Sequence, residues 1–471
     1  MKWFTFVLFL IPPFILSAQC KTGDVHIFNE EKLAAYIQEF KNCDTISGNL
    51  IIGPEVSGGQ TRLVEIKGLE KIKVIKGNLE IRSNQWLEDI ACLQNVELIE
   101  GDFIFKDNPK MKNAVTFKIT KVLGKVEFFP SQFSNASVAF PFLTFIGKDL
   151  LFSYFQQRIS AFPVLKTIGE NLRYYSYAQY CEDLNQLQNV KSVTMGFRQS
   201  NVEIKMLQKL RKAESFSLEV ESIRQITLSP AMQLDYLTIY NDLPYPISTF
   251  SHNKKYKGLT VYNIRSTKHF KELFGHIDSV GYLLLESKTD PDTFLFHQIK
   301  YVEVAMLYGG AIKVLPQIKT IGKQLQIRGR ILPGWIEKYV NRSDFIPEVT
   351  VNGLLSTQLN GKPRLFCDVF RIEHNSHLND LKNFQFKNIR AGLIEIKDSK
   401  IDSINFDLTG IDLTKTQLAF VDNDQLSYCP ADWACRLYKQ HALFDKKIYD
   451  FIFSGNRSTC NDLYLKNECE K

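Results

Sequence analysis

The chain has 471 residues, of which 44% are hydrophobic and 23% charged, a composition that excludes a disordered or collagen-like protein. The 58 Lys and Arg residues exceed the 51 Asp and Glu residues by only seven, and no dense basic block concentrates the surplus. Nucleic-acid binding is therefore not expected. The length would suit about three ordinary domains, and the nine cysteines are an odd number.

The N-terminal residues have the pattern of a secretory signal peptide. Lys2 is the only charge before the apolar run 3–16, which ends in small residues. The run is shorter than the roughly 20 residues that span a membrane, and Pro12-Pro13 would interrupt it as a helix. We predict a signal peptide over residues 1–18, with a signal anchor as the alternative, and hence a secreted, extracellular protein.

Secretion would expose the chain to glycosylation and to an oxidising compartment. Sequons of the form Asn-x-Ser/Thr begin at Asn135, Asn341 and Asn456, and we predict a glycan on each. No later stretch reaches the roughly 18 apolar residues of a membrane span, so no transmembrane segment is expected.

A short phrase recurs along the chain. Ile46-Ser47-Gly48-Asn49-Leu50 returns as Ile75-Lys76-Gly77-Asn78-Leu79 and again as Ile99-Glu100-Gly101-Asp102-Phe103. Beyond these copies the glycine gradually disappears, but short alternating apolar pairs continue. The first inward apolar residue of each pair, which we name an anchor, recurs about every 23 residues. The anchors are Leu50, Leu79, Phe103, Val126, Leu150, Leu172, Met195, Leu218, Leu237, Leu259, Leu283, Val302, Leu325, Val349, Phe370, Ile394 and Leu418.

This period predicts a mainly β solenoid. Each unit holds one short strand, because residues i and i+2 of a strand point to the same face. A single unit cannot bury its apolar face, whereas stacked units share a continuous core. The period lies within the leucine-rich-repeat range of about 20–29 residues, and scarce helical periodicity favours an irregular β-helix. The alternative, a β-sandwich with turns every 8–12 residues or so, fits the spacing less well.

Both ends of a solenoid need caps. Residues 30–41 have apolar side chains at helical spacing after a capping Asn29, so they predict an N-terminal capping helix. Cys20 and Cys43 flank this helix, and a bridge between them would clamp it over the first turn. We predict a short capping helix at the C-terminal end as well, in a disulfide-stapled cap. The cysteines of this cap follow the last anchor, and they are Cys429, Cys435, Cys460 and Cys469. The interior cysteines are either core thiols or bridge partners, and they are Cys92, Cys181 and Cys367.

These motifs resemble a known family. The phrases around Cys43 and Gly48-Asn49-Leu50, the copies at Gly77 and Gly101, and the following Asp107-Asn108-Pro109 are similar to the receptor L domain. This is the leucine-rich-repeat-like right-handed β-helix of insulin and EGF receptor ectodomains. The segment 422–433, with Asn423, Leu426, Cys429 and Trp433, looks like the ending of such a domain.

The resemblance implies two tandem L domains. The first would cover residues 19–200 and the second residues 201–445, with a disulfide-stapled cap and tail over 446–471. It also implies disulfides that join Cys20 to Cys43 and Cys429 to Cys460. The sequence differs from the receptors because it has no cysteine-rich module between the halves and no kinase. It is therefore closer to secreted proteins of this type than to a full receptor.

Catalytic and metal-binding motifs are not recognisable. The sequence has no nucleophile elbow, Walker loop or zinc-protease motif. His374 and His377 have the closest metal-like spacing, but no third ligand is nearby, and two such histidines are more typical of a turn. A glycosidase carboxylate pair cannot be recognised among the scattered acidic residues. We predict neither an enzyme nor a cofactor.

One sheet face is the candidate binding surface. On each strand the first and third residues after the anchor point outward. The aromatic members of these outward positions are Phe129, Tyr175, Tyr240 and Tyr262. Exposed aromatic side chains can mark a protein contact, although scattered exposed apolar residues are also normal. Family receptors bind peptide hormones on this face, which implies a ligand-binding role for the four.

The predicted solenoid and its resemblance to receptor L domains leave three candidate functions. The first is a secreted, non-enzymatic protein that binds an insulin-like or EGF-like peptide, or a receptor ectodomain of that class. The second is an extracellular structural or adhesion protein that associates with itself, as a homodimer, or with a cell surface. The third, a carbohydrate-active enzyme on a β-helix, has no supporting residues.

Overall fold

The computed structural model describes most of the chain from Gly23 onward. The described residues are 23–54, 59, 61–112, 115–129, 138–154, 161–178, 180–199, 202–220, 223–240, 247–249, 253–262, 276–287, 299–329, 340, 342–354, 359, 363–379, 381–382, 384–404, 411, 415–429, 435, 455–457, 460–461, 467 and 469. They form a mainly β solenoid, which confirms the predicted fold class.

The chain divides into two compact units. The first comprises residues 1–176 and 182–190, and the second comprises residues 177–181 and 191–471. The boundary at residue 200 that the sequence suggests stays a prediction.

The first unit carries a parallel sheet, here called its front sheet, in which every strand contains or aligns with an anchor. Val25 pairs with Leu50, Leu50 with Leu79, and Leu79 with Phe103. Its strands are Val25–Ile27, Leu50–Ile52, Leu79–Arg82, Phe103–Lys106, Val126–Phe129, Leu150–Tyr154 and Asn171–Ser176.

Two-residue strands before each glycine form a second parallel sheet in the first unit. They are Thr45–Ile46, Val74–Ile75, Leu98–Ile99, Lys121–Val122, Phe145–Ile146 and Thr167–Ile168. A further parallel pair joins Val115–Thr116 to Val138–Ala139. Each turn of the solenoid therefore presents one strand to each of several faces.

Aromatic rings fill the interior of the first unit. Phe105, Phe128 and Phe152 stack along the solenoid with centroids 5.0 Å and 5.3 Å apart. Phe140 stacks on Phe162 at 5.3 Å in a second column. All five side chains are buried. Such a core forms only when consecutive turns place equivalent residues above one another, so the repeat in the sequence is also the repeat of the packing.

The N-terminal helix spans Glu30–Phe40, one residue shorter than predicted. Asn29 caps it, because its Oδ1 accepts a hydrogen bond from the Lys32 N–H at 2.8 Å. Leu33 and Phe40 are the buried residues of its apolar face. The described 3-10 helices are Ala91–Leu93, Gly310–Gln317 and Phe386–Asn388. The predicted C-terminal capping helix lies largely outside the described residues.

The second unit has its own long parallel front sheet. Its strands are Ser192–Phe197, Lys212–Val220, Gln233–Tyr240, Lys255–Tyr262, Ser279–Ser287, Tyr301–Gly309, Ile321–Arg328, Glu348–Asn352, Leu365–Asn375, Ile389–Ser399 and Gln417–Val421. The strands Val202–Met206, Ile223–Thr227 and Ile247–Thr249 pair in a second sheet. The residues of a further strand, Tyr180–Asp183, are divided between the two units.

All seventeen anchors lie in strands and are buried, but the register differs from the prediction at two of them. Leu237 pairs with Phe216 and not with Leu218. The partner of Leu283 is Ala305, and Val302 lies three residues earlier on the same strand. The strands concerned are Lys212–Val220 and Tyr301–Gly309, each of nine residues with several inward apolar positions. The alternation of apolar residues alone therefore does not identify which inward residue aligns with the neighbouring anchor.

Two disulfides close the C-terminal end. Cys429 bonds to Cys460, as the resemblance implied, and Cys435 bonds to Cys469. Cys43 is also disulfide-bonded, while Cys20 lies outside the described residues. Of the interior cysteines, Cys92 and Cys367 are free buried thiols, and burial raises the pKa of each to about 12. Cys181 is buried with its Sγ 4.0 Å from Ala178 O.

Candidate functional site

Two of the predicted surface residues form a stacked pair on the front sheet of the second unit. Tyr240 and Tyr262 are cross-strand partners, and their ring centroids are 4.9 Å apart with planes 6° from parallel. Tyr240 is 40% exposed and Tyr262 is partly buried. The in-register strands set this stack, because neighbouring parallel strands lie about 4.8 Å apart.

The row of outward side chains continues across the next strands. Val261 pairs with Leu285, so Glu286 follows Tyr262 in the row, and Glu286 pairs with Tyr308. Tyr308 pairs with Arg328, whose guanidinium carbon lies 5.6 Å from the Tyr308 ring centroid. We name this set the tyrosine row, and its members are Tyr240, Tyr262, Glu286, Tyr308 and Arg328.

A layer of apolar and sulfur contacts lies beside the tyrosine row. The Tyr282 hydroxyl is 3.0 Å from Met306 Sδ, and the Tyr308 hydroxyl is 3.9 Å from the same sulfur. Leu284, the cross-strand partner of Met306, is only 6% exposed although it lies on the outward face. Tyr282 and Tyr308 therefore contact a common methionine beside the row.

The electrostatics of the row agree with this packing. Burial raises the pKa of Tyr262, and the nearby Tyr240, Glu286 and Tyr308 raise it further. Burial also raises the pKa of Tyr282. These tyrosines stay protonated at neutral pH, so their hydroxyls are hydrogen-bond donors as well as acceptors.

The other two predicted residues lie on the front sheet of the first unit and do not form a pair. Phe129 aligns with Lys106, and Tyr175 aligns with Ser153. Neighbouring outward positions carry ion pairs: Arg82 Nε is 2.9 Å from Glu80 Oε2. Lys125 Nζ is 2.8 Å from Glu127 Oε2. Among the described residues of this unit, the outward face mixes charge with isolated aromatics and shows no aromatic cluster.

The C-terminal strands of the second unit carry a charged cluster instead. Arg371 donates from Nη1 to Glu348 at 2.6 Å and from Nε to Glu395 at 2.5 Å. Because one arginine bonds both carboxylates that flank it, each of the two glutamates has a cationic partner within the sheet. The outward face of this unit thus changes from aromatic to ionic along the solenoid.

Sequence reasoning missed five contributors to the site. Glu286 and Arg328 are the third residues after the anchors Leu283 and Leu325, but only the aromatic members of these positions were selected. The third residue after an anchor points outward, and Tyr308 is the third residue after Ala305, which aligns with the anchor Leu283. With Val302 as the anchor, the same rule points to an inward residue. Tyr282 directly precedes its anchor, a position the rule did not include, and Met306 follows Ala305.

The remaining predicted sites are only partly within the described structure. Asn135 and Asn341 lie outside it. Asn456 has its Nδ2 2.7 Å from Phe420 O, while its Oδ1 accepts from the Asn423 N–H at 2.9 Å. A glycan on Asn456 would have to preserve both contacts, and all three glycans stay predictions.

No group of metal-ligating side chains occurs among the described residues. His374 contacts Asp398, with Nδ1 2.7 Å from Oδ2. His377 is exposed.

The comparisons with known proteins identify one domain. Residues 42–121 match the family model described as Receptor L domain, which confirms the predicted resemblance. Receptor L domains are a ligand-binding, non-catalytic kind of domain. No curated protein and no solved structure matches the chain. Within the described residues, no helix is long and apolar enough to cross a membrane.

Proposed function

We propose, from the receptor L domain that this chain contains at residues 42–121, that it is a secreted, non-enzymatic protein that binds a polypeptide ligand. The finer proposal is an insulin-like or EGF-like peptide, or the ectodomain of a receptor for one. The observation that carries a binding role is the tyrosine row on the front sheet of the second unit. Secretion rests on the signal-peptide pattern of residues 1–18.

The tyrosine row has the properties of a preformed contact surface. Tyrosine supplies a large contact area with few rotatable bonds, and its hydroxyl adds directional hydrogen bonding. The hydroxyls of Tyr240 and Tyr262 have no hydrogen-bond partner among the described residues, so both can bond a ligand without breaking an internal contact. Because parallel strands fix the rings in advance, association orders little at the interface.

The test is binding by the full-length secreted chain to insulin-like and EGF-like peptides, measured by biolayer interferometry. Tyr240→Ala with Tyr262→Ala should weaken binding by about 1–3 kcal/mol, or roughly five- to 150-fold, because buried tyrosines carry much of an interface's energy. Tyr428→Ala is the matched control, since Tyr428 is 61% exposed and belongs to no strand of the front sheet.

The variants must keep the wild-type thermal midpoint for the comparison to hold. Equal affinity of the double variant and the wild type would show that the ligand binds elsewhere. Absence of binding to every peptide and receptor ectodomain of this class would overturn the finer proposal.

A second candidate function is self-association or adhesion. Phe345 and Phe366 form an exposed edge-to-face pair with centroids 5.2 Å apart, and they are 41% and 51% exposed. Two exposed rings in contact are a candidate apolar interface. Light scattering over a range of concentrations distinguishes the two functions: dimers that Phe366→Ser abolishes, together with no peptide binding, would favour adhesion.

A further inference from the structure

One carboxylate in the tyrosine row differs from its neighbours. Four other outward glutamates of this sheet have cationic partners: Glu219 pairs with Arg198, Glu303 with Lys323, and Glu348 and Glu395 with Arg371. Glu214 and Glu373 also form no ion pair among the described residues, but neither lies between two tyrosine-bearing strands. Glu286 has no ion pair and no hydrogen bond to any described residue, although it is partly buried between two tyrosine-bearing strands. A partly buried carboxylate without a cation is an unfavourable arrangement that a cationic ligand group would relieve.

The rings on either side of Glu286 present faces toward it. Tyr262 stacks on Tyr240 through one face, which leaves its other face toward the Glu286 strand. Tyr308 has Arg328 over its ring from the strand on the opposite side, so its free face also turns toward Glu286. The strands of Tyr262 and Tyr308 are two positions apart, about 9–10 Å, and Glu286 stands between them. A planar group can therefore enter only above the Glu286 carboxylate, between the outer parts of the two rings.

Arg328 already shows what kind of group the Tyr308 ring accepts. Its guanidinium carbon lies 5.6 Å from the ring centroid, within the range of a cation–π contact. The empty side of the same ring offers the equivalent contact, with the Glu286 carboxylate added as a counter-ion. Arginine fits better than lysine, because a planar guanidinium can stack on aromatic faces while it hydrogen-bonds a carboxylate.

We propose that the polypeptide ligand inserts an arginine side chain between Tyr262 and Tyr308, with its guanidinium hydrogen-bonded to the Glu286 carboxylate. This inference rests on the proposed function and specifies the ligand's chemistry at that face. It assigns Glu286 as the specificity-determining residue, and the two tyrosines as the walls of the guanidinium slot.

The experiment uses the full-length chain and a phage-displayed library of random 12-residue peptides. Peptides are first selected for binding to the wild type. Those that also bind the Tyr240→Ala, Tyr262→Ala variant are then removed, so that the remaining peptides are the ones that need this face. Selected peptides are then synthesised with arginine or with neutral, near-isosteric citrulline. Fluorescence polarisation gives their affinities for the wild type, for Glu286→Gln, and for Glu303→Gln as the control whose carboxylate is already paired.

We expect the retained peptides to share an arginine. Citrulline should weaken binding to the wild type about tenfold or more, and Glu286→Gln should cause a similar loss. On Glu286→Gln the citrulline exchange should have little further effect, because the two changes remove the same interaction. Glu303→Gln should bind like the wild type.

Three results would overturn the inference, and the first two leave the proposed function standing. The slot is rejected if the retained peptides lack arginine. It is also rejected if the exchange of arginine for citrulline lowers affinity equally for the wild type and for Glu286→Gln. In both cases ligand binding at this face still stands. If no peptide depends on Tyr240 and Tyr262, both the slot and this face as the binding surface are rejected. Glu286→Gln preserves side-chain shape, so its folding is checked simply by its thermal midpoint.

Discussion

At Asn108 one side chain satisfies the backbone of two turns. Its Nδ2 donates to Ile81 O and to Lys106 O, each at 3.0 Å, and its Oδ1 accepts from Asn84 Nδ2 at 3.0 Å. Asn84 repeats the role one turn earlier, with its Nδ2 3.0 Å from Ile52 O. Both side chains are fully buried. An irregular solenoid turn leaves backbone groups unpaired, and asparagine can both donate and accept there.

Asn108→Ala should therefore lower the free energy of unfolding by about 2–4 kcal/mol, because it leaves buried carbonyl and amide groups without hydrogen-bond partners. Urea denaturation followed by circular dichroism measures the change. Asn189→Ala is the control: Asn189 is exposed, and its Nδ2 reaches Thr167 Oγ1 only at 3.4 Å, so an effect within about 0.5 kcal/mol is expected. Equal effects of the two substitutions would contradict this role.

The glycine of the repeated phrase lies where successive turns of the solenoid contact each other. Asn49 Oδ1 accepts from the Asn78 N–H at 2.7 Å, and Asn78 Oδ1 accepts from the Asp102 N–H at 2.8 Å. A Cβ on Gly77 would lie 2.5 Å from Asn49 Oδ1 and 2.6 Å from the carbonyl carbon of Gly48. The glycine thus leaves space for the amide side chain that joins one turn to the next.

Gly77→Ala is expected to lower the free energy of unfolding by about 2–3 kcal/mol, since the clash is with backbone and with a hydrogen-bonded amide. Lys76→Ala, at the exposed neighbouring position, should change it by less than about 0.5 kcal/mol. Chemical denaturation of both variants provides the comparison. A neutral Gly77→Ala would show that adjacent turns can separate without loss of the ladder.

The predictability of each element depends on how much of it is set locally. The Glu30–Phe40 helix was predictable because its cap and its apolar spacing lie within twelve residues. The front strands were predictable because alternation marks their inward face. The alignment of Val302 and Ala305 was not, since both are inward residues of one long strand and the neighbouring turns decide which one aligns with Leu283. That uncertainty also concealed Tyr308, and with it most of the candidate site.

For the whole molecule, the C-terminal end is held by covalent bonds and by backbone contacts. The Cys429–Cys460 disulfide spans 31 residues of sequence. Beside it, Asn456 contacts Phe420 O at 2.7 Å, and Arg457 donates from Nε to Asp424 O at 2.7 Å. This segment covers hydrogen-bonding groups of the last described strand of the front sheet and of the turn after it.

Cys429→Ser with Cys460→Ser should lower the free energy of unfolding by about 3–4 kcal/mol, the loop-closure contribution for a loop of this length. Calorimetry measures the loss. Cys92→Ser is a matched thiol-to-hydroxyl control that breaks no disulfide, and it is expected to cost less, about 1–3 kcal/mol for a buried hydroxyl. An unchanged transition in the double variant would show that the end is held without the bond.

The contact made at the last described strand also bears on what the open edge of the sheet can bind. A parallel, in-register sheet is a template at its open edge, since each strand offers the next one a ready row of donors and acceptors. The contact of Asn456 occupies part of that row at Phe420 O, and Arg457 bonds the turn that follows at Asp424 O. The terminal turn therefore leaves fewer free groups at this edge for another chain to pair with. Detachment of that turn would expose an unpaired parallel edge, the kind of surface to which a further strand can add.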